Sequence, residues 1–233
     1  MKLPSLEITL GWRNVWKNRR RTILTLLTIM VGCAMIIFMK SIQKGAFGKM
    51  VEDAVSANTG HIQVHEKGFW ENMSIDYALK PDARITDRLT AMPAIAAYSL
   101  RVNAAGFVSS GNTTEGALIQ AVDPVRERNV TDLHDHILPG GRYLREDDLT
   151  NVVMGATLAE NLGVKVGDTV SMISQGFDGS VAAASLAIVG LFKTKNPEYD
   201  DTMIIMPLAQ AMDTFTMRGD VSSIVIRLSA GMT

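Results

Sequence analysis

The chain has 233 residues, 47% of them hydrophobic, and its 23 basic and 24 acidic side chains give a formal net charge of −1. This hydrophobic content fits a folded protein with a core. The single cysteine, Cys33, excludes an intramolecular disulfide, so the fold must be stabilised by burial.

The first 21 residues are strongly basic, with six basic groups against one acid, Glu7. Within them Trp12 and Trp16 share one side of a predicted helix, and tryptophan favours the headgroup region of a membrane. We therefore expect residues 1–21 to form a cytoplasmic amphipathic basic segment along the membrane surface. The alternative is a soluble amphipathic helix packed on protein. The residues expected at the membrane interface are Trp12, Trp16, Arg19, Arg20, Arg21 and Lys40.

Residues 22–40 are expected to form a transmembrane helix. Thr22 to Met39 is an uncharged run of 18 residues. As a helix it reaches about 27 Å against a hydrocarbon core of about 30 Å, and Lys40 can extend to the interface to make up the difference. The basic side of this run stays in the cytoplasm by the positive-inside rule. Beyond residue 21 the chain carries 17 basic and 23 acidic groups, which argues against nucleic-acid binding.

A processed signal is the alternative to a retained helix. The apolar region of a cleaved signal peptide is usually about 7 to 15 residues long, so this run is too long. Met30-Val31-Gly32-Cys33 loosely resembles a lipobox, but Ala34 to Met39 continue apolar where an anchored lipoprotein should turn polar. We therefore predict a retained helix in which Cys33 faces lipid or another helix.

Apolar residues keep a helical period after Lys40, which predicts a stalk helix over residues 41–58. Gly45 and Gly48 each weaken a helix by about 1 kcal/mol relative to alanine, so they are candidate hinge positions. The alternative interpretation of Gly45 to Lys49, a phosphate-binding loop, has the wrong spacing. No G-x-x-x-x-G-K-[ST] motif occurs in the chain, so it is not expected to hydrolyse ATP through a P-loop.

Residues 59–233 alternate between strand and helix patterns. A period of two begins in the segment His61-Ile62-Gln63-Val64-His65 and predicts a half-buried strand. The elements predicted after it are strands 97–108, 115–122, 151–155, 169–174, 183–193, 203–206 and 222–228, and helices 83–92, 126–133, 142–148, 156–162 and 207–216.

The polar groups of this region form no recognisable catalytic or metal-binding constellation. His61 and His65 would lie about 13 Å apart on a strand, too far to share one metal ion, and His134-Asp135-His136 lacks further ligands. Asp147-Asp148 and Asp200-Asp201 are adjacent pairs that should point apart in solvated turns rather than form an acid–base pair. We therefore expect no catalytic residue, no metal site and no cofactor in this chain.

Short sequence segments follow one another in a characteristic order along nearly the whole chain. They are Gly11-Trp12-Arg13-Asn14 with Arg20-Arg21-Thr22, Gly60-His61-Ile62-Gln63-Val64, Ala121-Val122-Asp123-Pro124 with Glu127, Gly141-Arg142-Tyr143-Leu144, Met154-Gly155 with Leu158-Ala159, Leu162-Gly163-Val164, Gly167-Asp168-Thr169-Val170, Val189-Gly190-Leu191-Phe192, and Tyr199-Asp200 before Met206-Pro207-Leu208. In this order they resemble the N-terminal half of ABC transporter permeases of the MacB/FtsX type, including the LolC/LolE lipoprotein-release branch.

The resemblance implies an α+β fold, with one N-terminal transmembrane helix followed by a MacB-like periplasmic core domain over residues 59–233, described as two subdomains. It implies the bacterial inner membrane, with the N-terminus cytoplasmic and the core domain periplasmic. Family members have four membrane helices, so the chain would be a fragment of a permease. The implied partners are a separate ABC ATPase subunit that binds ATP and Mg²⁺, a second permease subunit in a homo- or heterodimer, the lipid bilayer, and an acceptor in the periplasm or outer membrane.

The implied function is that of a permease subunit. It would couple ATP hydrolysis by the separate ATPase to extracytoplasmic movement of a substrate, by lipoprotein release to the outer membrane or by efflux. Lipoprotein, peptide, drug-like compound and lipid all stay open as substrates. One alternative is a membrane-anchored periplasmic binding or regulatory module that acts without an ATPase. Another is a membrane-tethered enzyme, which would need a polar pocket with convergent titratable groups.

Overall fold

The computed structural model describes residues 6–72 and 75–229. The chain forms two compact units that divide at Val51. The first unit contains α1 (Leu6–Lys17) and all but the last three residues of α2 (Arg19–Ala54), a helix of 36 residues. Asn18 separates the two helices, and the Thr22 hydroxyl donates across this break to the Val15 carbonyl at 2.6 Å.

The second helix, α2, has the length and composition of a membrane span. Its most apolar stretch of 18 residues has a mean hydropathy of 2.4, and none of that stretch is buried. A helix that is apolar on all sides is suited to lipid rather than to water. Among the described residues, α2 is the one helix with these properties. It covers the predicted span, residues 22–40, and most of the predicted stalk, residues 41–58, without interruption.

The second unit is a mixed α/β domain in which a π-helix, Val55–Thr59, follows the last residues of α2. Its strands are β1 (Ile62–Val64), β2 (Ile95–Ser110), β3 (Thr113–Val122), β4 (Asn151–Gly155), β5 (Thr169–Gln175), β6 (Val181–Phe192), β7 (Met203–Pro207) and β8 (Ser223–Leu228). Its helices are α3 (Phe69–Asn72), α4 (Ala83–Ala91), α5 (Pro124–Val130), a 3₁₀ turn Leu133–His136, α6 (Ala156–Leu162), α7 (Pro197–Thr202) and α8 (Leu208–Thr214).

All eight strands belong to one sheet with the order β1-β8-β2-β3-β7-β4-β6-β5. The long strand β2 pairs with β8 near its start and with β5 near its end. The six strands β2-β3-β7-β4-β6-β5 therefore form a closed barrel. Gly106 lies at this closure, where a Cβ atom would come 2.5 Å from the Ile173 carbonyl oxygen. A glycine therefore allows β5 to approach β2 at this point.

The core consists of two hydrophobic clusters on opposite sides of the central strands. Strand β7 is buried along its whole length, and its side chains alternate between the clusters as strand geometry requires. Ile204 and Met206 lie in the larger cluster, whereas Met203 and Ile205 lie in the smaller one beside Phe192. This double burial explains why β7 is an uninterrupted apolar run in the sequence.

The predicted α+β fold, one apolar N-terminal helix followed by a mixed α/β domain, is confirmed. The helix predicted for residues 142–148 is wrong, because Asp148 organises this segment as a loop. Its carboxylate accepts two hydrogen bonds from the Arg142 guanidinium, each 2.7 Å, and one from the Arg145 backbone N–H at 2.8 Å. The short helix α7 was not predicted, although Asn196 caps it and Pro197 occupies its first turn.

Candidate functional site

The residues predicted at the membrane interface lie on α1 and α2. The Trp12 and Trp16 rings are 6.0 Å apart on one side of α1, and both side chains are exposed. Arg19, Arg20 and Arg21 form the exposed first turn of α2, and Lys40 lies exposed farther along the same helix. The structure thus places these groups on accessible helix surfaces, and their contact with lipid stays a prediction.

The candidate hinge glycines, Gly45 and Gly48, lie inside α2, which is helical through both positions. A Cβ atom at either glycine would meet nothing within 4 Å. No close packing therefore requires a glycine at these two positions. Their role as a hinge stays a prediction that alanine substitutions can test without a steric clash.

The adjacent carboxylates are not the solvated turns that the sequence predicted. Asp148 and Asp200 are buried, whereas their neighbours Asp147 and Asp201 are exposed. Asp200 accepts hydrogen bonds from the Thr194 backbone N–H and hydroxyl, both at 2.9 Å. Each buried carboxylate therefore fixes a loop. The Arg142 guanidinium lowers the pKa of Asp148 far below its usual range, because the two groups share two hydrogen bonds.

His65 also takes a structural position. His65 follows β1, stacks on Phe69 with a centroid distance of 4.3 Å, and lies with Nδ1 3.0 Å from the Ser222 carbonyl oxygen. Burial lowers the pKa of His65, and the hydrogen bond to Ser222 partly opposes this effect. Among the described residues, no group of three or more histidine, cysteine, aspartate or glutamate side chains could hold a metal ion.

The most unusual polar group of the domain is Arg101, a guanidinium with only 1% of its surface exposed. Its Nε and Nη2 atoms donate to the two carboxylate oxygens of Glu127, at 3.2 and 2.5 Å. Its Nη1 atom donates to the Asn58 backbone carbonyl at 2.6 Å. Thr131 completes the shell with a hydroxyl donated to Glu127 at 3.1 Å. We call Asn58, Arg101, Glu127 and Thr131 the Arg101 cluster.

Three separate elements bring the Arg101 cluster together. Arg101 lies on β2 at the point where the strand pairs with both β3 and β8. Glu127 lies on α5, which begins at a fixed place because the Asp123 side chain accepts from the backbone N–H groups of Val125 and Arg126. Asn58 lies in the last turn of the π-helix. The cluster therefore joins the C-terminal end of the π-helix to the sheet and to α5.

Gly60 sets the path of the chain as it leaves the π-helix. Its N–H donates to the Val55 carbonyl at 3.0 Å, which is the hydrogen bond of a π-turn. Its φ of +64° is in the left-handed region, and a Cβ atom there would lie 2.4 Å from Cγ1 of Val225. Glycine is therefore needed both for the backbone conformation and for the contact with β8.

A second layer of polar side chains surrounds the Arg101 cluster. The Gln120 amide group lies 3.3 Å from the side-chain oxygens of both Asn58 and Asn103. The Ser222 hydroxyl accepts from the Asn103 backbone N–H at 3.0 Å, and the Ser222 N–H donates to the Arg101 carbonyl at 2.8 Å. On β1, Gln63 is half-buried and donates to the Thr59 carbonyl at 2.8 Å, while Ile62 and Val64 are exposed. The sequence pattern predicted the alternation of β1 but not that the polar residue is the less exposed one.

The smaller core cluster gives the Arg101–Glu127 pair a poorly solvated setting. Tyr143 and Tyr199 belong to that core cluster, and burial raises the pKa of both phenols. Glu127 raises both pKa values further, whereas Arg101 lowers them, so the ion pair lies within electrostatic range of both rings. The site has a buried ion pair whose nitrogen and carboxylate oxygen atoms each make a hydrogen bond, and Arg101 also binds the backbone of Asn58.

Sequence reasoning missed the Arg101 cluster, although Glu127 occurred in one of the quoted segments. A signal was present, because Arg101 is a charged residue in the middle of a strand flanked by Leu100 and Val102. Charged residues are almost never fully buried unless they are paired. The sequence could not predict the partners of Arg101, since Asn58 and Glu127 lie 43 and 26 residues away along the chain.

Comparison with known proteins gives matches over nearly the whole chain. Residues 22–233 match the family model described as the MacB-like periplasmic core domain. LolC of Neisseria meningitidis serogroup B, a transmembrane protein of a lipoprotein-releasing system, is 24% identical over 242 aligned positions, which cover 97% of this chain and 55% of LolC. The chain thus spans about half the length of this curated relative.

Two solved structures share the fold of the second unit. The periplasmic region of MacB from Actinobacillus actinomycetemcomitans superposes with a TM-score of 0.51 and 16% identity, over 72% of this chain and 74% of that structure. The extracellular domain of the noncanonic ABC-type transporter YknZ from Gram-positive bacteria superposes with a TM-score of 0.51 and 11% identity, over 72% of this chain and 83% of that structure. At these identities the similarity shows the fold alone.

Proposed function

Since the chain belongs to the family of MacB-like periplasmic core domains, within the MacB/FtsX/LolC group of ABC transporter permeases, we propose that it is a permease subunit. It couples ATP hydrolysis by a separate ATPase subunit to movement of a substrate outside the cytoplasm. The observation that carries this proposal is the order of parts in one chain. The long apolar helix α2 leads directly into the core domain, and the family match covers residues of both.

The proposed partners follow from this role. ATP and Mg²⁺ bind to the separate ATPase subunit, and this chain contributes no catalytic residue. A second permease subunit, identical or related, forms the membrane part with it. The basic first turn of α2 supports an orientation with the N-terminus in the cytoplasm and the core domain in the periplasm.

Among substrates, lipoprotein release is our first choice. Its support is that the relative named as part of a lipoprotein-releasing system aligns with 97% of this chain. Efflux is the second choice, because the sequence segments that resemble permeases of the MacB/FtsX type leave it open. In either case the core domain acts by moving, because a permease subunit in this role transmits a conformational change rather than catalyses a reaction.

Affinity capture tests the partnership with an ATPase. The tagged, membrane-inserted permease should retain an ABC ATPase with a Walker A motif when membranes are solubilised in a mild detergent. Membrane-inserted protein that captures no ATPase would overturn the proposal and favour an anchored module that acts alone.

Cysteine labelling tests the orientation. Cys33 is the one cysteine of the chain, so a Cys33→Ala background allows single cysteines to be placed at Leu149, which is 67% exposed, and at Lys17. A membrane-impermeant maleimide should label Leu149→Cys in cells with a permeable outer membrane and an intact inner membrane. It should label Lys17→Cys only after lysis, and the reverse pattern would contradict the proposed orientation.

A further inference from the structure

A buried cation, the Arg101 guanidinium, caps the C-terminal end of the π-helix. Arg101 Nη1 lies 2.6 Å from the Asn58 carbonyl oxygen and 3.3 Å from the Asn58 side-chain oxygen. The carbonyl groups in the last turn of a helix lack partners within that helix and carry the negative end of its dipole. A guanidinium at this position therefore satisfies an open acceptor and is attracted by the dipole.

Glu127 holds the guanidinium in the orientation that reaches Asn58. The planar fork of arginine matches a carboxylate with two parallel hydrogen bonds, which leaves the remaining N–H groups directed away from that carboxylate. Lysine would offer a single nitrogen and could not span both partners in the same way. The geometry of Arg101 is therefore suited to connecting two partners at fixed positions.

Stability alone does not explain this arrangement. A buried ion pair can often be replaced by apolar residues of similar volume with no loss of stability, because desolvation of the two charges offsets their attraction. Arg101 and Glu127 are 1% and 2% exposed, so this reasoning applies to them. Apolar residues could not supply a directional hydrogen bond to the Asn58 carbonyl.

We propose that Arg101 is a positioning residue that fixes the end of the π-helix to β2 and α5, so that movement of the membrane helix reaches the core domain. The inference rests on the proposed function, because it assumes that nucleotide binding by a separate ATPase moves that helix. In this role Arg101 acts through the backbone of Asn58 and touches no substrate.

Hydrogen exchange in the complete permease–ATPase complex tests the first half of the proposal. The double variant Arg101→Met/Glu127→Leu removes the bond to Asn58 without leaving an unpaired buried charge. The Gly60 amide, which donates to Val55 in the π-turn, should exchange faster by at least about tenfold, the effect of one lost hydrogen bond to a charged group. The matched control is Arg142→Met/Asp148→Leu, which removes another bidentate pair and should leave Gly60 unchanged.

The second half is tested by repeating the exchange measurement with ATP and vanadate. In the wild type, nucleotide should change exchange both in the membrane helix and in β2 and α5. In Arg101→Met/Glu127→Leu the change should persist in the membrane helix and disappear from β2 and α5, whereas the control should behave as the wild type. An unchanged Gly60 amide, or a nucleotide response of β2 and α5 equal to that of the wild type, would overturn the inference.

Two further outcomes are distinguishable. If the double variant does not fold, Arg101→Lys replaces it, because lysine keeps the charge beside Glu127 but lacks the planar fork. The inference then requires that Arg101→Lys speeds exchange of the Gly60 amide and removes the nucleotide response of β2 and α5. If nucleotide changes nothing in the wild type, the proposed function fails, whereas failure of the inference alone leaves the wild-type response intact.

Discussion

Replacement of Glu127 by alanine should strongly destabilise the core domain. The change leaves Arg101 buried at 1% exposure with no carboxylate, and removal of one partner of a buried ion pair costs about 3–5 kcal/mol. In a domain of about 150–250 residues, each kcal/mol of lost stability lowers the thermal unfolding midpoint by roughly 2–4 °C. The midpoint should therefore fall by roughly 6–20 °C. Thermal unfolding of the chain in detergent, followed by tyrosine and tryptophan fluorescence, measures this shift.

An exposed ion pair provides the matched control. Arg84 and Asp82 are 2.8 Å apart, but the Arg84 side chain is 88% exposed, and exposed pairs contribute about 0–1 kcal/mol. Arg84→Ala should therefore lower the midpoint by only a few degrees, about 4 °C at most. A Glu127→Ala variant no less stable than Arg84→Ala would refute the reasoning that Arg101 depends on its carboxylate.

Three further predictions address other positions. Gly60→Ala should destabilise the core domain by more than about 2 kcal/mol in urea unfolding, because φ is +64° and a Cβ would lie 2.4 Å from Val225; an unchanged urea midpoint would count against a required glycine. The Arg142 guanidinium lowers the pKa of Asp148, so the stability from this pair is full above the unfolded pKa of about 3.9 and is lost as the pH falls below it. Asp148→Asn should therefore lower stability at pH 7 and flatten the acid limb of urea unfolding measured from pH 7 to pH 3, and parallel profiles for wild type and variant would contradict this. Gly45→Ala and Gly48→Ala should each raise helix stability by about 1 kcal/mol and reduce transport if the glycines form a hinge; unchanged transport by a correctly assembled complex would exclude the hinge.

Periodicity predicted much of the fold because burial acts on regular elements. The uncharged run from Thr22 to Met39 located the long apolar helix α2, and alternation located most of the strands to within a few residues. Local rules also worked where one residue decides the conformation. Gly163 ends α6 with a φ of 68°, as a glycine after a helix should.

Specific polar side-chain contacts decided what the sequence could not predict. The segment 142–148 has helix-compatible residues, yet the Asp148 carboxylate binds Arg142 and the Arg145 N–H and fixes a loop. The Arg101 cluster joins residues that are 26 and 43 positions apart, and no local pattern reports such a pairing. In β1 the alternation was correct, but the less exposed residue is the polar one, because Gln63 donates to the Thr59 carbonyl at the end of the π-helix.

In the proposed function, ATP hydrolysis by a separate subunit moves the core domain. The most direct test is a pair of spin labels in the permease–ATPase complex in nanodiscs, one at Val166 of this core domain in a Cys33→Ala background and one at the equivalent position of the second permease subunit. We predict that ATP with vanadate shifts the distance distribution between the labels, and that replacement of the Walker A lysine in the ATPase abolishes the shift. A distribution that stays unchanged while ATP is hydrolysed would contradict the claim.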